Sequence, residues 1–531
     1  MVVRLSKSII SILAKPAFGR MMAIGGVLLV AACVRLTAPA DQDWSARYGQ
    51  TVIGEAFDSI ADRYIEPVTM AELAQHGLDG LHTIDGSLAF STDGDMLVVR
   101  RNGSEAGRVA APLGNDSEAW TGATVAAIGI ARSVSPALRD ADAEAIFRAV
   151  FDGALAPLDR FSRYADAATA HEHRALRDGF GGIGISIRME QDHALIIEVG
   201  DEGPARKAGL QADDRVVAVD GNPVAGWTQR QLVEALRGYV GTPVSLTVER
   251  GGRRLPAPVA LVRDHIVPQT VALRRDGALA ILRISSFNQD TTERLQALIG
   301  AALAGPDAPP AGFVLDMRAN PGGLLNRAVE VADIFVDRGQ IAATAGRHRL
   351  SAQTFPATPG DATGGRPLIV LINGNSASAA EVVAAALQDL DRAVIVGTNS
   401  YGKGTVQSVI GLPNDGELTL TWSRLLAPSG YRLHELGVLP TLCTHGGGTE
   451  ISANSLIDDL RHGVSATADR FAQWRTASGN LNPPLRTELR DVCPADGRSP
   501  VADLEVARAL ITDPALYRQA LRMTETAVAH R

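Results

Sequence analysis

From residue 278 onwards the chain alternates between short apolar runs and longer segments with helical spacing. Three such pairs follow one another before a last apolar run: LAILRIS with TERLQALIGAALA, GFVLDMR with LLNRAVEVADIF, PLIVLIN with AEVVAAALQDL, and then AVIVGT. Strands that alternate with helices usually form a largely parallel sheet with helices on its faces. The sequence therefore predicts an α/β domain in this half.

The 531 residues leave room for other domains around this one. The patterns divide the chain into the segments 1–40, 41–175, 176–264, 265–449 and 450–531. The second segment is helical in pattern, and one stretch at 85–103 alternates like a hairpin. The third is strand-like, the fourth is the α/β domain, and the last has helical patterns without a readable motif.

Charge and residue spacing exclude some classes of function. The net charge is −8, with no block of like charges, so we expect no nucleic-acid partner. No group of histidines, cysteines and carboxylates has the spacing of a metal site, and we expect neither a metal nor another cofactor.

The N-terminus has the pattern of an export signal. Basic residues precede an apolar run at 21–33 that is too short for a comfortable membrane span. LVAAC resembles a bacterial lipobox and would make Cys33 a lipidated first residue, whereas APA at 38–40 fits ordinary signal cleavage. An uncleaved anchor is the third reading. Each reading places the rest of the chain outside the cytoplasm, with membrane association only through the N-terminus.

Two cysteines remain beyond this segment, Cys443 and Cys493. An even pair in an exported protein permits a disulfide. Two separate buried thiols fit the sequence equally well, because free cysteine is commonly buried.

A lysine between two glycines points to base catalysis. Only four of the 51 basic residues are lysines, and one of them is Lys403 in SYGKGTVQ. A desolvated lysine can lose its proton, whereas arginine stays charged. A partner is available in SASAAE, where Ser378 precedes a helical pattern and also forms a capping-box pattern with Glu381. Amide groups at a helix N-terminus suit a developing oxyanion.

The joint spacing of these motifs resembles the C-terminal processing peptidases, also called tail-specific proteases. The resemblance covers about residues 140–442 and includes LDRFSRY at 158–164. It implies a ClpP/crotonase-like core in which Ser378 is the nucleophile and Lys403 is the base. It further implies that Gln407 orients the lysine.

Other positions follow from the same resemblance. The oxyanion hole would be the backbone N–H groups of Gly323, in the turn NPGG, and of Ala379, while Asp389 would have a supporting role. The chain departs from the usual S-A-S-A-S-E motif at Ala380, which is not a catalytic position. Relative to the same family, its N-terminal segment carries an apparent insertion around 76–130.

Residues 180–264 resemble a PDZ domain. Its carboxylate-binding loop would lie in GGIGI and include Gly182, Ile183, Gly184 and Ile185. PDZ domains add an extended peptide to a sheet edge and hold its terminal carboxylate. The resemblance therefore implies protein and peptide substrates with free C-termini.

Together these features predict a serine endopeptidase of the bacterial periplasm or cell envelope that cuts proteins near their C-termini with a Ser-Lys dyad. The resemblance leaves open two kinds of partner. One is an adaptor lipoprotein, and the other is further copies of the same chain in a homo-oligomer. The alternative is an inactive PDZ scaffold.

SYGK also fits the S-x-x-K motif of penicillin-binding enzymes, with Ser400 as nucleophile, but S-D-N and K-T-G are missing from the sequence.

Overall fold

A computed structural model of the protein describes residues 43–306, 308–446, 449–476 and 482–524. The expected export segment and Cys33 lie outside these ranges. Within them, no helix combines the length and the apolar character needed to cross a membrane. The same ranges contain no cluster of three or more histidine, cysteine or carboxylate side chains placed to hold a metal ion.

The first region is mainly helical and carries a small antiparallel sheet in the order β1–β2–β3. Its elements are α1 (Ala46–Arg63), α2 (Met70–Gly80), β1 (Leu88–Asp93), β2 (Met96–Arg101), β3 (Ser104–Ala110), α3 (Ser117–Val134), α4 (Pro136–Asp140), α5 (Ala143–Leu155), β4 (Arg163–Ala165) and α6 (Ala167–Asp178). The helices α1, α2, α3 and α5 each begin after a Ser, Thr or Asp whose side chain accepts a backbone N–H. Their buried faces share one core with Ile410 and Leu420 of the α/β domain.

The second region is a β-domain inserted into the chain. Its elements are β5 (Phe180–Gly182), β6 (Ile185–Met189), β7 (Ala194–Val199), α7 (Pro204–Lys207), β8 (Arg215–Val219), β9 (Asn222–Pro223), α8 (Gln229–Leu236), β10 (Pro243–Arg250), β11 (Arg253–Arg254), β12 (Val259–Val262) and β13 (Asp264–Ile266). The sheet order is β11–β10–β8–β7–β6, and α8 buries Leu232 and Leu236 against it. Because β5 pairs with β13, the chain enters and leaves this domain at adjacent points.

The third region is the predicted α/β domain. Its elements are β14 (Val271–Asp276), β15 (Leu279–Ile284), α9 (Thr291–Ala304), β16 (Gly312–Asp316), α10 (Leu325–Asp333), β17 (Gln340–Ala345), β18 (Gln353–Pro356), β19 (Leu368–Ile372), α11 (Ala379–Asp389), β20 (Val394–Gly397), β21 (Thr405–Gly411), β22 (Glu417–Leu426) and β23 (Leu442–Cys443). The main sheet has the order β14–β15–β16–β19–β20–β23 and is parallel from β15 onwards. Every residue of β16 and β19 is buried, which explains the continuous apolar runs in the sequence. The mixed α/β fold is thus confirmed.

A second sheet, in the order β18–β17–β22–β21, adjoins the first. Strand β4 of the N-terminal region pairs antiparallel with the first residues of β22, beyond the part of β22 that pairs with β17. The segment LDRFSRY is thereby anchored against the α/β domain.

The last region covers the remaining surface of the main sheet. Its elements are β24 (His445–Gly446), β25 (Thr449–Glu450), α12 (Ala453–Arg461), α13 (Phe471–Thr476), α14 (Pro483–Asp491), α15 (Val501–Thr512) and α16 (Pro514–Arg522). Alternate residues of β19 point to opposite faces: Val370 packs on the side of α11, whereas Ile369 packs with Leu510 of α15.

Of the two readings for the cysteines, the structure contains the disulfide, Cys443–Cys493, with a Cα–Cα distance of 5.9 Å.

Candidate active site

Ser378 lies at the turn between the buried strand β19 and helix α11. Its backbone dihedrals, φ 55° and ψ −113°, belong to a region that residues other than glycine rarely adopt. The turn is held by two other loops: the N–H of Ala377 donates to the carbonyl of Asn320 at 2.9 Å, and that of Tyr401 donates to the carbonyl of Ser376 at 2.9 Å. Strain that surrounding contacts maintain is typical of functional sites.

The glycine-rich turn lies directly beside Ser378. A Cβ on Gly322 would be 2.9 Å from the Cβ of Ser378 and 3.0 Å from the amide nitrogen of Ala379. Gly323 has φ 147°, and a Cβ there would be 2.1 Å from the carbonyl oxygen of Phe287, so glycine is required. Within the described part of the chain, the amides of Gly323 and Ala379 donate to no acceptor. Two available N–H groups, one of them at the start of α11, thus flank the serine.

Lys403 follows β20, and its ammonium group is largely enclosed. Nζ lies 5.1 Å from the ring centroid of Phe161. Burial, and then the positive charge of Arg163, lower the pKa of Lys403, with smaller opposing effects from Glu381 and Asp159. No hydrogen bond joins Nζ to the hydroxyl of the serine among the described residues; without a bound substrate, such contacts are often long.

Glu381 is a fully buried carboxylate that connects the serine turn to the lysine loop. Its Oε2 accepts the backbone N–H groups of Ser378 at 2.7 Å and of Lys403 at 2.9 Å. Its Oε1 accepts the N–H of Gly402 at 2.7 Å and the hydroxyl of Ser400 at 2.5 Å. Burial raises the pKa of Glu381, whereas the four hydrogen bonds oppose that shift. The sequence placed this residue in a capping-box pattern, and its contacts with the lysine loop were missed.

Gln407 lies on β21 and makes hydrogen bonds to two threonines. Its Nε2 donates to Oγ1 of Thr405 at 2.9 Å and to Oγ1 of Thr421 at 3.4 Å. No hydrogen bond to Lys403 is present in the described residues, so the orienting role of Gln407 stays a prediction.

Asp389 is at the opposite end of α11 from Ser378. Its carboxylate accepts the N–H and hydroxyl of Ser429 at 3.0 and 2.6 Å, and Nε of Arg475 at 3.0 Å. Its contacts therefore join the end of this helix to a turn and to the C-terminal region.

The contribution of LDRFSRY to the site was also missed by sequence analysis. Asp159 accepts the N–H groups of Phe161 at 2.7 Å and of Ser162 at 3.0 Å, which closes a tight turn. The hydroxyl of Ser162 accepts the N–H of Thr421 at 3.1 Å and fixes the turn on β22. This arrangement positions the ring of Phe161 near Lys403. The sequence did not indicate this contact because the two residues are far apart along the chain.

Arg490 of α14 supports the lysine loop from the C-terminal region. Its Nη1 donates to the carbonyl of Leu436 at 2.5 Å, and its Nη2 donates to that of Ser400 at 3.0 Å. The C-terminal region, in which no motif was readable, thus contacts the loop that carries Lys403.

The expected PDZ loop lines a cleft of about 1040 Å³. Gly182, Ile183, Gly184 and Ile185 all contribute to its wall, together with α8. Strand β6 is at the edge of the described sheet. An unpaired sheet edge beside an apolar helix face is the geometry by which an extended peptide can bind.

Comparisons with known proteins identify the family of the chain. Residues 278–443 match the sequence model of peptidase family S41, and residues 181–261 match that of the PDZ domain. A carboxy-terminal-processing protease of Bartonella bacilliformis is 41% identical over 303 residues, covering 57% of this chain and 70% of that protein. A probable CtpA-like serine protease of Staphylococcus saprophyticus is 31% identical over 309 residues, covering 57% and 61% of the two chains.

Among solved structures, the photosystem II D1 C-terminal processing protease is 29% identical, with a TM-score of 0.33, and the match covers 55% of this chain and 81% of that one. Both family matches end before residue 450, so they do not include the C-terminal helices. The extent of the Bartonella match and the two family matches lead to one conclusion: the chain belongs to the carboxy-terminal-processing proteases, serine-type proteases of peptidase family S41 that carry a PDZ domain.

Proposed function

We propose that this protease cleaves its substrates with a Ser-Lys dyad formed by Ser378 and Lys403. The observation that carries the proposal is the buried carboxylate of Glu381, which accepts the backbone N–H groups of both residues. A shared anchor of this kind fixes the relative positions of a nucleophile and its base, and such positioning contributes strongly to catalysis.

In the proposed reaction, neutral Lys403 takes the proton of the Ser378 hydroxyl while Oγ attacks the carbonyl carbon of the peptide bond. The amides of Gly323 and Ala379 donate to the oxyanion that forms. Protonated Lys403 then gives its proton to the leaving amine, and an acyl-enzyme remains on the serine. Water, deprotonated by the same lysine, hydrolyses this ester. Gln407 would orient the lysine in the complex with substrate.

The PDZ domain is proposed to bind the C-terminus of the substrate, while the serine cuts upstream of it. The loop 182–185 and the edge of β6 line the cleft in which an extended peptide would add to the sheet. The rest of the substrate chain would remain free to reach the serine.

A matched pair of peptides with an apolar last residue tests this function. We expect the peptide with a free carboxylate to be cleaved with a kcat/KM about tenfold higher than its C-terminal amide, because the amide lacks the charge that strengthens hydrogen bonds to the loop. The Ser378→Ala protein should cleave neither. Equal kcat/KM values for the two peptides would reject carboxylate capture, and lack of cleavage of any unstructured protein by the wild type would favour the inactive scaffold.

We also propose that the protein is exported and carries lipid on Cys33. The mass of the mature N-terminus tests this proposal. A lipid-modified Cys33 supports it, an unmodified N-terminus at Asp41 indicates ordinary secretion, and an intact Met1 indicates an anchor; either of the latter two would contradict the lipid modification.

A further inference from the structure

Two arginines from different domains line the PDZ cleft, and each has an unsatisfied hydrogen-bond donor among the described residues. Arg237 follows α8 of the PDZ domain, and Arg294 lies on α9 of the α/β domain. In each side chain Nε is buried and has no hydrogen-bond partner. Neither guanidinium belongs to an ion pair among the described residues.

Arg237 lies beside the start of the loop that is expected to hold a carboxylate. Its Cζ is 4.1 Å from the ring centroid of Phe180, and the N–H of the next residue, Gly238, donates to the carbonyl of Gly181 at 3.0 Å. Burial lowers the pKa of Arg237, and the charge of Glu172 opposes that shift only in part. A partly buried cation without an ion-pair partner is unfavourable, and an anionic ligand would offset that cost.

Arg294 brings a cation from the α/β domain to the same cleft, whose PDZ wall also includes Lys207. It lies in the first turn of α9, where its N–H donates to the carbonyl of Asp290 at 3.0 Å. The chain from Val267 to Thr270, which enters the α/β domain, lines the cleft next to it. The cleft therefore has walls from two domains, and a ligand in it would contact both.

The remaining lining indicates which ligand would fit. Apolar side chains such as Ile183, Ile185 and Leu236 suit an apolar last residue. Five acidic residues also line the cleft and would repel acidic side chains on the same peptide: Glu198, Asp201, Glu202, Asp264 and Asp290. An anionic group would therefore bind only next to the basic residues. The chemistry thus favours a chain with an apolar end whose anionic group is the terminal carboxylate.

We propose that Arg294 and Arg237 together bind the terminal carboxylate of the substrate, so that the recognition site is shared between the PDZ domain and the α/β domain. This proposal rests on the proposed function of the PDZ domain as a reader of C-termini. Its new element is Arg294: an occupied PDZ cleft would be linked directly to the domain that carries Ser378.

Peptide binding to the full chain carrying Ser378→Ala tests the proposal without cleavage. A fluorescent peptide with an apolar C-terminus is titrated as the free acid and as the amide. We expect Arg294→Ala to weaken binding of the free acid about tenfold, the order of one charge-assisted hydrogen bond, and to leave the amide unchanged. Arg294→Lys, which keeps the charge, should retain most of the preference for the acid.

Arg254→Ala is the matched control, because it removes an exposed charge at the sheet edge opposite β6. It should alter neither affinity. If the protein with both arginines binds the acid more tightly than the amide, and Arg294→Ala keeps that preference, the shared site is wrong. The proposed PDZ function would then still stand. If the acid and the amide bind equally before any arginine is replaced, the proposed PDZ function itself fails. Equal weakening of acid and amide by Arg294→Ala would assign Arg294 to packing and would also overturn the proposal.

Discussion

Replacing Lys403 by arginine is expected to lower kcat/KM by about 10³-fold while the protein stays folded. Arginine keeps the positive charge and the length of the side chain, but it cannot become neutral and accept the proton of Ser378. The control is Arg254→Lys, an exchange between the same two residue types at an exposed position outside the proposed active site and the PDZ cleft. Initial rates on a short peptide, corrected for the folded fraction, measure the effect, and wild-type rates in Lys403→Arg would exclude the lysine as base.

The pH dependence of the wild type follows from the same residue. Activity requires neutral Lys403, so kcat/KM should rise with pH as the lysine loses its proton. Because burial and Arg163 lower its pKa, the midpoint of that rise should lie below the ordinary lysine value of about 10.4. Lys403→Arg should lack this rise altogether. A midpoint at the ordinary value would contradict the enclosure of the ammonium group.

Replacing Glu381 by glutamine is expected to lower kcat by about 100-fold, the cost of small displacements of reacting groups. Each carboxylate oxygen of Glu381 accepts two hydrogen bonds, and at least one of the two donors is a backbone N–H. In glutamine, an NH2 group replaces one of these oxygens, so at least one backbone N–H loses its acceptor. Each unsatisfied donor should also lower the free energy of unfolding by about 1–3 kcal/mol. Stopped-flow turnover and denaturant unfolding measure the two effects separately.

Glu417→Gln provides the control for a general loss of stability. Glu417 is also nearly fully buried, but its carboxylate accepts from Arg174 and Arg177 rather than from the catalytic loops. We expect this variant to be less stable than the wild type and to keep its kcat once the folded fraction is taken into account. If Glu381→Gln loses stability but keeps kcat in the same way, Glu381 is a structural residue only.

Local periodicity was sufficient to predict the α/β domain, because that pattern lies within short segments. The PDZ domain was predicted from the resemblance of its motifs to that family. The hairpin β1–β2 was predicted from its alternation and is present, whereas the third strand of its sheet was missed. That strand, SEAGRVA, has no fully buried residue, so it lacks the apolar signal from which strands are inferred.

The contacts around the expected base could not be predicted for a different reason. A capping-box sequence looks the same whether its carboxylate serves only its own helix or also reaches a second loop, as that of Glu381 does. The contact of Phe161 with Lys403, and that of Arg490 with the lysine loop, join residues far apart in sequence. The disulfide depends on the distance between two cysteines, which composition does not specify.

The most direct test of the Ser-Lys assignment is to label the folded protein with a small serine-directed phosphonylating probe and to identify the modified residue by peptide mass spectrometry. The account predicts that the label is on Ser378, that it is absent from Ser378→Ala, and that Lys403→Arg slows its formation by about 10³-fold. A label on Ser400, or equal labelling rates with and without Lys403, would contradict it.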